Sequence, residues 1–314
     1  MKKPIYVLIA VFLLFVTIYL VLVQKEKKTF SPRTVENFLG LDSVSVNRIE
    51  FIKYDTKMVF QKIGQQWYIV EPDSYRADNK AIGQLVSLAS HLTVGEIISS
   101  NPEKQILFQV DSLTGTGLDF FSGDRQLASV VVGKMSDDYM HAYLRKTGSE
   151  DVYLAKGFFS SITQQRVDHW RDRQILAFDP GLVTEVEFTQ GKDKFKLTRE
   201  DTVWQLSAPP YRETATADHE KTEDYIRTLA EIRSDKFPLK NEIVGMRFEN
   251  PELVIKLTFA DGHEEKLLAT KASGEGNRYF VKTDQSESVF VLFEYNYKRL
   301  AKKLEDFQPE AEES

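Results

Sequence analysis

Two of the three tryptophans in this chain stand in the same frame. Trp67 to Pro72 reads WYIVEP and Trp204 to Pro209 reads WQLSAP. The frames lie 137 positions apart (204 − 67), and their flanks match at the same offset. Ile49 and Phe51 fall on Val186 and Phe188, and Met58 and Phe60 fall on Phe195 and Leu197. Apolar and polar residues alternate through RIEFIK and KFKLTR, the period-two pattern of strands with one buried face. Each copy therefore opens with three short strands, the third carrying the tryptophan. A repeat of this length restricts the fold more than any local propensity does, because each element must be compatible with two different sequences.

After each frame comes a helix. Ile82, Leu85, Ala89 and Leu92 match Thr222, Tyr225, Leu229 and Ile232, a 3-4-3 spacing that places one face of a helix on the core. Asp78 and Asp218 stand where an N-cap accepts the first free backbone N–H groups. Pro72 and Pro209 end the preceding strand, since proline cannot donate to a ladder. Downstream, LDFFSG matches LTFADG, HAYLRK matches RYFVKT, and VYLAK matches VFVLF. Each copy thus reads three strands, a helix and four strands. Each copy is predicted to close in a helix, which in the second shows Phe293, Tyr297, Leu300, Leu304 and Phe307 at 4-3-4-3 spacing. The expected fold is α+β: an N-terminal transmembrane helix followed by two tandem homologous modules, each an antiparallel sheet packed with helices. The modules span 46–180 and 181–307, divided at the turn-type sequence FDPG, with an acidic, disordered tail over 308–314.

The membrane expectation rests on Ile5 to Val23, 19 residues without a charge, preceded by a short flank at 1–4. At about 1.5 Å per residue this run matches a hydrocarbon core of about 30 Å. It ends LVLVQKEKK with no small-residue cleavage site, which favours an uncleaved anchor over a removable signal. Residues 24–45 then read as a juxtamembrane linker, and the body is expected outside the cytoplasm of a bacterial inner membrane. Setting aside the five lysines and one glutamate around the anchor, the chain carries 36 basic against 46 acidic residues. Such an acidic body is the wrong partner for nucleic acid, which needs a clustered basic face.

An apolar N-terminus, the doubled Trp frame with its A-D and L-x-x-L signals, and VDHWRDRQILAFDP between the copies resemble the bacterial domain-of-unknown-function family 4340. The resemblance implies membrane-anchored extracytoplasmic proteins, often encoded beside ABC exporters of the gliding-motility type. It brings no catalytic residue with it.

Motifs for chemistry are few. Cysteine is absent, so there is no thiolate metal site and no Cys nucleophile. HEEKL at His263 lacks the second histidine of a zinc protease, and TGTG at Thr114 lacks the glycines of a phosphate loop. Neither a nucleophile elbow nor an S-x-x-K pair is present. Trp67 and Trp204 read as core anchors, and Asp78 and Asp218 as caps rather than acid–base groups. His169, Trp170, Arg171 and Arg173 form the best partner-contact patch, because aromatic and arginine residues are favoured at interfaces. The expected function is that of a non-enzymatic accessory or binding protein without cofactor or metal, associated with an ABC-type transporter subunit. The alternatives are a hydrolase acting on envelope glycans or peptides, and a structural protein that self-associates through its C-terminal helix.

Overall fold

A computed structural model describes residues 12–17, 19, 34–156, 162, 163, 165–208, 214–243, 246, 248–272 and 276–310. The chain divides into two compact units, Met1–Arg171 and Asp172–Ser314.

The first unit contains β1 (Arg48–Lys53), β2 (Thr56–Ile63), β3 (Gln66–Glu71), β4 (Tyr75–Arg76), helix α1 (Asn79–Ser90), β5 (Val94–Ser99), β6 (Thr116–Ser122), β7 (Arg125–Met135), β8 (His141–Lys146) and β9 (Val152–Lys156). They form one antiparallel sheet in the order β4-β3-β2-β1-β6-β7-β8-β9-β5. The second unit contains β10 (Val183–Gln190), β11 (Asp193–Glu200), β12 (Val203–Ser207), β13 (Ala215–Thr216), helix α2 (His219–Glu231), β14 (Leu253–Phe259), β15 (Glu264–Lys271), β16 (Arg278–Thr283), β17 (Phe290–Phe293) and helix α3 (Glu294–Leu300). Its sheet runs β13-β12-β11-β10-β14-β15-β16-β17, the same path without the last edge strand. In place of β5, Lys236 makes a bridge to Val291 on β17.

The pleat explains the pairing. In β1, Ile49 and Phe51 point inward and meet Phe60 and Met58 across the ladder on one side, and Phe120 and Leu118 on the other. In β10, Val186 and Phe188 do the same with Leu197 and Phe195, and with Leu257 and Ile255. The turns match too: Gly123 and Gly262 both take positive φ, +60° and +85°, a conformation in which a Cβ is strained. Each helix covers its sheet with the predicted face, Ile82, Leu85 and Ala89 in α1 and Thr222, Tyr225 and Leu229 in α2. Each large apolar side chain buried this way stabilises the fold by about 1.5–3 kcal/mol. The caps are as the spacing predicts. Asp78 accepts from the N–H groups of Lys80 and Ala81 at 2.9 and 3.2 Å, and Asp218 from that of Lys221 at 3.0 Å.

Each unit is closed by one aromatic residue. Asp78 N–H donates to the Trp170 carbonyl at 2.8 Å, and Asp218 N–H donates to the Phe307 carbonyl at 2.8 Å. The two acceptors are 137 positions apart (307 − 170), so the third tryptophan belongs to the repeat as well. Trp170 packs edge-on against Phe51 and Phe60, and Phe307 lies against Phe188, Phe195 and Tyr225.

Several expectations are corrected. The fold is dominated by two wide antiparallel sheets with one long helix apiece, and among the described residues the expected transmembrane helix is not found. Among the described residues no helix is long and apolar enough to cross a membrane. Residues 12–17 and Tyr19 are helical, and the rest of Ile5 to Val23 lies outside the described residues. Part of the supposed linker belongs to the first unit: Val35 bridges Val94, and Leu39 and Leu41 are buried. The units divide at Arg171/Asp172 rather than at the FDPG turn. The closing helix of the second copy is instead α3 followed by a 3-10 turn, Leu304–Phe307, and Phe293 sits on β17. The break at Ala301 lets Phe307 reach the cap of α2. Pro209 lies outside the described residues, as do 311–314 of the tail, whereas Glu310 lies 3.8 Å from Lys221.

Candidate binding site

A cavity of the first unit, about 590 Å³, opens at the hairpin that joins β1 to β2. That hairpin turns at Tyr54, whose φ is +51°, and is tied by the Thr56 hydroxyl donating to the Lys53 carbonyl at 2.8 Å. Strand alternation sends Phe51 and Met58 to the inner face, while Lys53, Asp55, Thr56 and Lys57 stand at the mouth. Pro72 follows β3, Thr116 opens β6, and the segment 163–168 leads into the turn Val167–Trp170. Val167 and Pro72 extend the apolar wall. Thr116 and Thr163 are buried, whereas Gln165 and Arg166 are exposed.

Charge around the mouth is partly spent on neighbours. Lys57 is 3.1 Å from Glu50, and Asp168 is 3.3 Å from Arg171. Arg171 is itself only 7% exposed and stacks on the Tyr75 ring at 3.8 Å; burial holds its pKa below the usual guanidinium range. Among the described residues no ion pair engages Lys53, Asp55 or Arg166. Two cations and one carboxylate therefore face solvent at the mouth.

The second unit handles the same corner differently. Phe195 replaces Met58 opposite the β-strand phenylalanine, and Phe188 and Phe195 stack at 4.3 Å with an interplanar angle of 14°. Leu300, fully buried, stands 137 positions after Thr163. A methionine, unbranched and flexible, leaves room that a ring stacked on its neighbour takes up.

The predicted contact patch does not assemble on a surface. Trp170 is 1% exposed, because it is the plug of the first unit. Arg171 is buried with it, and Arg173 is half-buried, donating to the Asp235 carbonyl at 3.2 Å within the second unit. His169 alone is exposed, edge-on to Trp170. The indole Nε1 of Trp170 has no hydrogen-bond partner among the described residues. Trp67 and Trp204 are buried, and Trp204 Nε1 donates to Glu223 at 2.8 Å beside the Arg199–Glu223 ion pair. Gly83 stands 140 positions before Glu223, so this link belongs to the second unit alone.

One local set looks catalytic by residue type. Ser136, Asp138 and His141 meet at the turn between β7 and β8. The Ser136 hydroxyl donates to Asp138 Oδ1 at 2.5 Å, and His141 Nδ1 lies 2.6 Å from Asp138 Oδ2. Both of these contacts are made to the carboxylate. The Ser136 hydroxyl, the Met140 N–H and His141 hold the Asp138 carboxyl well below the ordinary range, as a turn anchor requires. His263 pairs with Asp261 and stacks on Phe259, and among the described residues no group of three His, Cys, Asp or Glu could hold a metal ion.

A family model described as Domain of unknown function (DUF4340) matches residues 67–243, more than half of the 314. The chain belongs to the DUF4340 family. No curated protein and no solved structure matches it. The DUF4340 match runs from Trp67 through α2, taking in both tryptophan frames, the plug Trp170 and the Thr163–Asp168 arm of the cavity. The Phe51–Met58 hairpin of this DUF4340 protein precedes the match.

Sequence reasoning missed the cavity because its parts, 51–58, 72, 116 and 163–168, are joined only by folding. One signal was present: Met58 and Phe60 stand against Phe195 and Leu197, so the inward-facing ring changes place between otherwise matched strands.

Proposed function

We propose that this DUF4340 protein is a non-enzymatic binding protein of the bacterial cell envelope, an accessory to a larger assembly such as an ABC-type transporter, with the cavity of its first unit as the ligand-holding element. The observation that carries this reading is the unequal corner. Where the second copy carries the stacked Phe195 and the buried Leu300, the first carries Met58 and Thr163 beside a cavity lined with threonines and charges. A concave site with an apolar wall and a few polar groups is the usual form of a small-ligand pocket. Among the described residues of that lining the carboxylates at the mouth, Asp55 and Asp168, have no histidine beside them, which favours binding over turnover. The accessory role is tested by crosslinking the full chain in cells and purifying it in gentle detergent. A transporter permease or ATPase recovered in stoichiometric amounts is the expected result; recovery of the protein alone overturns the accessory reading.

A further inference from the structure

We propose that the cavity of the first unit takes a small amphiphilic anion, with one carboxylate or phosphate group held at the mouth by Lys53 and Arg166 and an apolar body lying against Phe51, Met58, Val167 and Pro72. This rests on the cavity being a binding site and goes further, to the class of ligand. Three cations and two carboxylates line the space. Glu50 engages Lys57 and Arg171 engages Asp168, which leaves two cations against one carboxylate. The mouth is thus locally positive in a chain whose net charge is −6, which favours an anion at this point. A guanidinium binds a carboxylate or phosphate through two parallel hydrogen bonds, and a nearby ammonium adds a point charge. The Thr116 hydroxyl supplies a further polar group on the way inward. Below them the wall is a phenyl ring, a thioether, a valine and a proline, which offer nothing to a second charge. A volume of 590 Å³ suits a small molecule and excludes a folded partner.

Calorimetric titration of the full chain with four probes, each below its micelle concentration, tests the assignment. The probes are decanoate, decyl phosphate, decyltrimethylammonium and inorganic phosphate. Decanoate and decyl phosphate are expected to bind saturably, and both to weaken roughly tenfold or more when Lys53 and Arg166 are replaced together by alanine. Met58→Phe, which imports the residue of the second unit, is expected to abolish binding, and Thr163→Leu to weaken it, with unchanged circular dichroism in each case. Decyltrimethylammonium binding as tightly as decanoate overturns the anion assignment, and the cavity reading survives it if Met58→Phe removes both. Inorganic phosphate binding as tightly as decyl phosphate overturns the amphiphile and points to a free phosphate. If folded Met58→Phe binds every probe as the native chain does, the cavity reading falls together with the ligand class.

Discussion

Where Phe188 faces Phe195 in the second unit, Phe51 faces Met58 in the first, and the same register carries two different outcomes. In the second unit the two rings stack, Leu300 is fully buried, and Tyr225 donates its hydroxyl to the Leu300 carbonyl at 2.7 Å. In the first, a methionine and a threonine at the matched positions leave a cavity, and the plug is a tryptophan that leans on Phe51 and Phe60 instead. The frameworks are interchangeable and the corners are not. A sheet tolerates such exchange because its ladder is made by backbone groups common to every sequence. What fills the space beside the ladder depends on side-chain volume, where a single ring decides between a packed corner and an open one.

The comparison is sharpest at the plugs. Trp170→Ala and Phe307→Ala are each expected to cost about 3–5 kcal/mol in their own unit, read from the loss of amide-exchange protection in α1 and α2 respectively. A much smaller loss for Phe307→Ala breaks the equivalence of the two closures. Next in size is the cap. Asp78→Ala frees two backbone N–H groups and is expected to destabilise α1 by about 1 kcal/mol, seen as a lower melting temperature of the first unit. The smallest effect separates charge from hydrogen bonding at Asp218. Hydrogen bonds from the Lys221 N–H, with the Lys221 ammonium beside it, hold this carboxyl below its ordinary pKa. A folded-state pKa that is lowered contributes stability above the unfolded value of about 3.9, and the contribution is lost as pH falls through the folded value. Asp218→Asn keeps the cap and removes the charge. Its deficit in α2 protection is expected at neutral pH and should vanish in acid; a deficit that persists there excludes the electrostatic account.

Seven strands of each sheet, both long helices and both caps were readable because each rests on local periodicity or on a short-range hydrogen bond. Ile49, Phe51, Val186 and Phe188 alternate in any register that buries them. The extra edges, β4 and β13, were not readable, since two-residue strands have no period. The 4-3-4-3 spacing from Phe293 to Phe307 was misleading for a definite reason. Phe307 is buried by a tertiary contact with the cap of α2, which outweighs the helical continuation. Trp170 misled likewise: among charged neighbours it looked like a surface anchor, and only the hydrogen bond from Asp78 shows it to be the counterpart of Phe307.

The sequence by itself determined that this chain is a duplication of one antiparallel unit, which faces of its strands and helices are buried, and where each long helix begins. These follow from side-chain alternation and from backbone groups that must find partners close by in the chain. Only the tertiary structure decided which aromatic closes each unit, where the units divide, and that one corner stays open. Those outcomes depend on volumes and charges contributed by residues as far apart as Lys53 and Arg166, and no pattern along the chain sums them.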